Sequence, residues 1–126
     1  IKKFNMSRNI CLMANEQTRG FGRRGTSWES PKGNVYLSIL SKNITPIQKH
    51  FLNNAFITNL ICEVIEQLCN VKVQIKWPND ILINNEKISG IISEIFKVAE
   101  IEYIITGFGV NIKSSPKLTA TRLAPM

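Results

Sequence analysis

Between Pro46 and Cys69 apolar residues recur at helical spacing, while every other periodic stretch of the chain reads as strand, and one helix among strands leaves few folds open. Phe51, Leu52, Ala55, Leu60, Ile61, Val64, Ile65 and Leu68 carry that spacing, and Thr45 before Pro46 supplies a helix start, so a helix over 46–69 is predicted. Upstream, NICLMA (9–14) reads as a buried strand, and VYLSIL (Val35 to Leu40) alternates as a second. Downstream come VKVQIKW, a turn at Pro78-Asn79-Asp80, a short ILI and a polar turn at Asn84-Asn85-Glu86, which together imply a hairpin. Two further β-like runs, Ile88 to Val98 and Ile101 to Ile112, complete the order ββαββββ. This predicts an α/β (α+β) domain with a mixed, mostly antiparallel sheet.

The chain has 126 residues, 44% hydrophobic and 20% charged, which fits one globular domain with a core. No apolar run approaches the roughly 18–20 residues of a membrane span, and IKKFNMSRN lacks the apolar core of a secretory signal, so a cytoplasmic protein is expected. Cys62 and Cys69 stand seven positions apart on the predicted helix, about 10 Å along its axis, too far for a disulfide. All three cysteines are therefore expected as free thiols packed like small hydrophobes. The formal charge is +7, and residues 1–32 carry seven basic residues against Glu16 and Glu29, so the first quarter attracts an anion. Charge alone leaves open whether that anion is nucleic acid, a nucleotide phosphate or an acidic protein surface.

Gly20 to Gly25, GFGRRG, meets the pattern G-x-G-x-x-G, but its surroundings exclude the familiar uses. A dinucleotide fold needs a helix opening at the last glycine and an acidic residue about 20 positions on, and neither is present. The kinase motifs HRD and DFG are missing as well. What remains is a long loop, Glu16 to Gly33, whose glycines admit close backbone approach and whose Arg19, Arg23 and Arg24 can grip phosphate or carboxylate oxygens. A solvated basic loop is the competing reading. Trp28 is divided between an ordinary core aromatic and a pocket wall.

In KWPND, Lys76 ends an apolar strand before a Trp-Pro turn, a position suited to offsetting charge at an acyl phosphate, although a lone strand-end lysine is more often solvated. Asn79 and Asp80 are divided between forming the turn and touching a ligand or Mg²⁺. In GFGVN, Gly107 and Gly109 either make a bulge or clear space for a planar group, with Asn111 toward a nucleotide.

Taken in order, ANEQTRGFGRRGTSW, SPKGNVYLSI, KWPNDILINNEKISGIISE and GFGVNI resemble the catalytic-domain motifs of biotin–protein ligases, from about Ala14 to Ile112. The resemblance implies a fold related to class II aminoacyl-tRNA synthetases, a mixed sheet flanked by helices. It implies that Gln17, Gly20, Gly22 and Arg23 line a biotin site, with Gly90 of KISG near the bound acyl group. Arg23 and Arg24 would close over the adenylate, and Lys76 would touch both the biotin carboxyl oxygen and the α-phosphate. Trp28, Asn79 and Asn111 would lie near the nucleotide. No residue is assigned to a metal.

Two differences from the family pattern stand out. At Phe21 the family commonly has Arg, with Arg19 an extra guanidinium two positions earlier, and the family's biotin-holding Ser-Thr segment has no match here. The chain begins at Ile1 and ends soon after GFGVNI, so 1–126 is expected to be a catalytic domain cut at both ends.

The reaction implied is attack of the biotin carboxylate on the ATP α-phosphate with Mg²⁺ present, loss of pyrophosphate, then transfer of biotin to a lysine of the biotin carboxyl carrier protein, an acetyl-CoA carboxylase subunit. Positioning and electrostatics would carry it, with no covalent acyl-enzyme. His50, the only histidine, is expected to be solvated. Neither nucleic acid nor membrane is expected as a partner, and a homodimer is left open. Competing readings are a lipoate or octanoate ligase or transferase of the same fold and, in another class, a basic nucleic-acid-binding domain.

Overall fold

A computed structural model describes residues 8–43, 46, 49–114 and 123. Six strands and one α-helix follow in the expected order: β1 (Ile10–Ala14), β2 (Val35–Lys42), α1 (His50–Cys69), β3 (Gln74–Lys76), β4 (Asp80–Ile83), β5 (Glu86–Val98) and β6 (Ile101–Val110). The proposed start at Thr45, and Lys2 and Lys3 of the basic first quarter, lie outside the described residues. At its far end α1 stops at Asn70, whose left-handed φ of 50° turns the chain out while its N–H still bonds to Glu66 O.

The strands form one sheet in the order β1-β2-β6-β5-β4-β3, with every described pairing antiparallel. Tight hairpins make β3 through β6 a meander, as the sequence implies. The less local step is β6 docking against β2, with α1 carrying the chain from β2 to the far edge. Docking sets Tyr36 of β2 opposite Gly109 of β6, and Gly109 opposite Gly90 of β5. The glycine–arginine loop, which feeds β2, is thereby brought over the centre of the sheet.

Ile61, Cys62 and Ile65 of α1 pack on Ile81, Ile88, Ile91 and Val110 to form the core. Among them Ile81, Ile88 and Ile91 are buried to within 1%. Fully burying such an aliphatic side chain stabilises by roughly 1.5–3 kcal/mol, so this cluster fixes helix to sheet. Polar bonds add register: Asn53 Nδ2 donates to Thr106 Oγ1 at 3.0 Å, and Ser93 Oγ donates to Asn54 Oδ1.

Burial differs from the sequence expectation at several places. β1 is an edge strand and not a buried one, with Leu12 68% and Met13 67% exposed. An edge strand has a neighbour on one side only, and no described residue covers its faces. Along α1 the apolar residues divide, with Ile61 and Ile65 buried but Phe51, Leu52, Leu60, Val64 and Leu68 exposed. Of the cysteines only Cys62 is packed, whereas Cys11 and Cys69 are exposed; all three are free. His50 is half-buried, its Nε2 3.2 Å from Asn43 Nδ2, because the first turn of α1 lies against the end of β2.

Candidate functional site

The loop preceding β2 folds into an irregular hairpin. Gln17 N–H donates to Ser30 O at 3.1 Å, Trp28 N–H to Gly20 O at 2.9 Å and Gly22 N–H to Thr26 O at 2.7 Å. Its tip is the short 3₁₀ turn Arg23–Gly25, where Arg24 (φ 56°) and Gly25 (φ 72°) both take left-handed backbone, the region glycine enters without steric cost. A Cβ on Gly20 would lie 2.3 Å from Trp28 O, so this glycine lets the two arms of the hairpin meet. Gly20 therefore serves the loop's own backbone and is not part of the cavity wall described next.

Beneath the loop lies a cavity of about 530 Å³. Gln17, Gly22, Arg23, Arg24 and Trp28 wall it from the loop side, and Asn79, Gly90 and Asn111 from the sheet. Eight of the ten residues to which the family resemblance gives a role thus converge on one space, although 50 or more positions separate loop from sheet. Arg19 and Phe21 line it too, as do the apolar Ile92 and Ile105 and the acidic Glu94.

Asn79 joins loop to sheet. Its backbone O accepts from Ile91 N–H at 2.9 Å, its Nδ2 donates to Ile91 O at 3.1 Å, and its Oδ1 accepts from Arg23 Nη1 at 3.3 Å. The side chain is committed at both ends, so Asn79 acts by holding Arg23 over the cavity. Arg19 and Arg24 make no hydrogen bond or ion pair among the described residues and are available to an anion. Asn111 is 2% exposed, its N–H donating to Ile88 O at 2.8 Å, and it borders the cavity.

Lys76 does not join this group. It ends the three-residue edge strand β3, exposed, and is not among the residues walling the cavity, which lies over the inner strands. The lysine inside is Lys87, which sequence reasoning passed over. Its Nζ sits 2.6 Å from Asp80 Oδ1 and 5.1 Å from the Trp28 ring centroid, a cation held between a carboxylate and an aromatic face. Strand alternation would put Lys87 with Ser89 and on the opposite face from Gly90. A register shift intervenes: Ile81 pairs with Ser89 but Leu82 with Lys87, leaving Ile88 as an extra residue. A bulge re-aims the side chains beside it, and Lys87 comes to Gly90's side. The sequence signal available was a lysine three positions before a glycine already suspected, in KISG.

Asn34, in the SPKGN stretch, is a second residue the sequence did not mark. Its Oδ1 accepts from the N–H groups of Ile112, Lys113 and Ser114 at 2.9, 3.0 and 3.2 Å, and its Nδ2 donates to Ser114 O at 3.0 Å. It ties the start of β2 to the turn after β6, next to Asn111. Nearby, burial raises the Tyr36 phenol above its ordinary value of 10.0, opposed in part by Asn34, while the hydroxyl donates to Pro31 O at 2.7 Å.

A hairpin loop of arginines thus closes on an antiparallel sheet, with glycines on two central strands beneath it. Residues 3–111 match the Biotin/lipoate A/B protein ligase family, and the chain belongs to that family. It is similar to the Bifunctional ligase/repressor BirA of Bacillus subtilis, 32% identical over 114 residues, covering 89% of this chain and 35% of that protein. Similarity extends to the Biotin--[acetyl-CoA-carboxylase] ligase of Paracoccus denitrificans, 28% identical over 118 residues, covering 88% of this chain and 48% of that protein. Among solved structures, the Leishmania major biotin protein ligase in complex with biotinyl-5-AMP superposes with a TM-score of 0.73 at 28% identity, over 92% of this chain and 53% of its own. The Aquifex aeolicus biotin protein ligase in complex with biotin and ATP gives 0.73 at 28%, over 96% and 52%. The chain thus spans about a third to a half of the length of these relatives. The sheet with one long helix is the catalytic-domain architecture of those ligases, consistent with the class II synthetase-like fold. No helix of the described residues is long and apolar enough to cross a membrane.

Proposed function

We propose that this chain carries the site at which biotin is activated by ATP to biotinyl-5'-AMP and then transferred to a lysine of a biotin carboxyl carrier protein. The observation that carries the proposal is the meeting of Arg23, Arg24 and Lys87 on the wall of one cavity with glycines and Trp28 beside them. Relatives solved with biotin, with ATP and with biotinyl-5-AMP support the choice of substrates.

In this reading the biotin carboxylate attacks the α-phosphorus, the bond to the bridging oxygen breaks, and pyrophosphate leaves with the electron pair. Arg23, steered by Asn79, and Lys87, steered by Asp80, offset the negative charge gathered on the non-bridging oxygens. Arg24 and Arg19 face the departing pyrophosphate. The uncharged amine of the carrier lysine then attacks the anhydride carbonyl, AMP leaves with the electron pair of the broken C–O bond, and the nitrogen gives up one proton to water as the amide forms. Gln17 and Gly22 contact biotin beside Gly90, and Trp28 and Asn111 contact the nucleotide. Lys87 thus takes the part first considered for Lys76. Mg²⁺ enters the proposal as the ion carried by the ATP phosphates. The proposal places the reaction in the cytoplasm.

Biotin-dependent exchange of pyrophosphate into ATP by the full-length protein, run beside lipoate at equal concentration, tests this reading. Exchange with biotin at least tenfold above lipoate is expected; equal rates or a lipoate preference would replace it with the lipoate branch of the family.

A further inference from the structure

Gly90 and Gly109 pair across the β5–β6 ladder, and the same indole fills the space above both. A methyl on Gly109 would lie 2.6 Å from Trp28 Nε1, 2.9 Å from Cε2 and 3.0 Å from Cζ2, and one on Gly90 would lie 3.3 Å from Cζ3. Carbon atoms in ordinary contact keep about 3.5–4.0 Å apart, so Trp28 sits deeper on the sheet than any side chain at Gly109 would allow. Gly90 spaces Lys87 as well, whose Cε and Nζ would lie 3.2 and 3.3 Å from a Cβ there. Trp28 and Lys87 in turn touch each other, the ammonium 5.1 Å from the ring centroid. The space expected for a planar ligand is thus taken by the chain's own tryptophan, and the indole becomes the surface such a ligand meets. Burial of Nε1 without a hydrogen-bond partner fits a ring placed by shape and not by polar contacts.

We propose that Gly90 and Gly109 are positioning residues, a seat that fixes the depth of Trp28 and the reach of Lys87 so that the nucleotide base and the reacting phosphate are held in register. This rests on the ligase reading above. Neither glycine needs to touch ATP for the effect. Trp28 is half-buried on a loop, so an added methyl lifts the ring while the core under α1 is left intact.

The test is Gly109→Ala in the full-length protein, with two readouts. Biotin-dependent pyrophosphate exchange should show KM for ATP raised about tenfold with KM for biotin changed less than about threefold, as misplacement on the order of 1 Å costs a positioned site. Acrylamide quenching of Trp28 fluorescence, read in a background where Trp77 and every other tryptophan of the protein is Phe, should rise by about twofold as the ring is lifted. A parent protein without biotin-dependent exchange refutes the ligase reading, and the seat is still decided by the quenching. Unchanged quenching overturns the seat, and raised quenching with an unchanged KM for ATP overturns its part in the reaction. If Gly109→Ala fails to fold, Gly90→Ala, with its milder 3.3 Å approach, should move both readouts in the same direction by less. In a Trp28→Phe background, where the ring is smaller, Gly109→Ala should raise the ATP KM by less than it does in the parent; an equal rise counts against the seat.

Discussion

Two lysines compete for one role, and replacing each separates them. Lys87 is about a third exposed and paired with a mostly buried Asp80 at 2.6 Å, facing the cavity, whereas Lys76 is exposed on the edge strand. A unit charge about 4 Å from another is worth roughly 4 kcal/mol at an effective dielectric near 20 and roughly 1 kcal/mol in water. Lys87 lies between these limits, and Asp80 draws off part of its field, so about 2.7 kcal/mol is expected, or about a hundredfold in the adenylation rate. A solvated charge on the order of 10 Å away contributes about 0.4 kcal/mol before salt screens it, about twofold at most. Lys87→Met should therefore slow biotin-dependent pyrophosphate exchange about a hundredfold, and Lys76→Ala no more than about twofold. Because Lys87→Met strands the Asp80 carboxylate, some stability will be lost, and exchange is compared at a temperature where circular dichroism shows each variant folded. If Lys76→Ala loses thirtyfold or more while Lys87→Met keeps a third of the rate, the assignment from cavity geometry is wrong.

Asn34→Ala leaves three backbone N–H groups without their acceptor and should destabilise by about 2 kcal/mol, seen as a urea midpoint lowered by about 1 M at unchanged m; a shift under a few tenths of a molar would show that water replaces the side chain. Thiol titration of the native protein should find Cys11 and Cys69 reacting at least tenfold faster than Cys62, and three equal rates would contradict the packing of α1. Burial, then Glu66, holds the Cys62 thiol above its ordinary 9.0, and burial likewise raises Tyr36 above 10.0. In both, the unfolded chain ionises first, so their contribution is complete below about pH 9 and is lost as pH rises through the folded values; a flat urea midpoint between pH 8.5 and 10.5 would contradict it. Three like-charged arginines share the loop, and an anion relieves their repulsion, so trypsin should cut after Arg23 or Arg24 several-fold more slowly with biotinyl-5'-AMP bound; equal rates would rule out a ligand-gated loop.

Periodicity was enough to read the order of elements, because a period of 3.6 or 2 is written in each segment by itself. The helix ending at Cys69, the hairpins at Pro78 to Asp80 and at Asn84-Asn85, and the runs ending in GFGVN all follow from local residues. The motifs marked Arg23, Arg24, Trp28, Asn79, Gly90 and Asn111 in the same local way. What no local pattern contains is the docking of β6 against β2, which brings the arginine loop over Gly90 and Gly109 and turns separate motifs into one cavity wall. Burial was decided there too: the apolar residues of β1 and of one side of α1 look like core in sequence, yet a strand at the sheet's edge and a helix with one covered side leave them exposed. Which lysine lines the cavity turned on a single inserted residue. Alternation points Lys87 away from Gly90, and only the ladder with β4 shows that Ile88 is bulged, because a register shift is a property of two paired strands and cannot be read from either one alone.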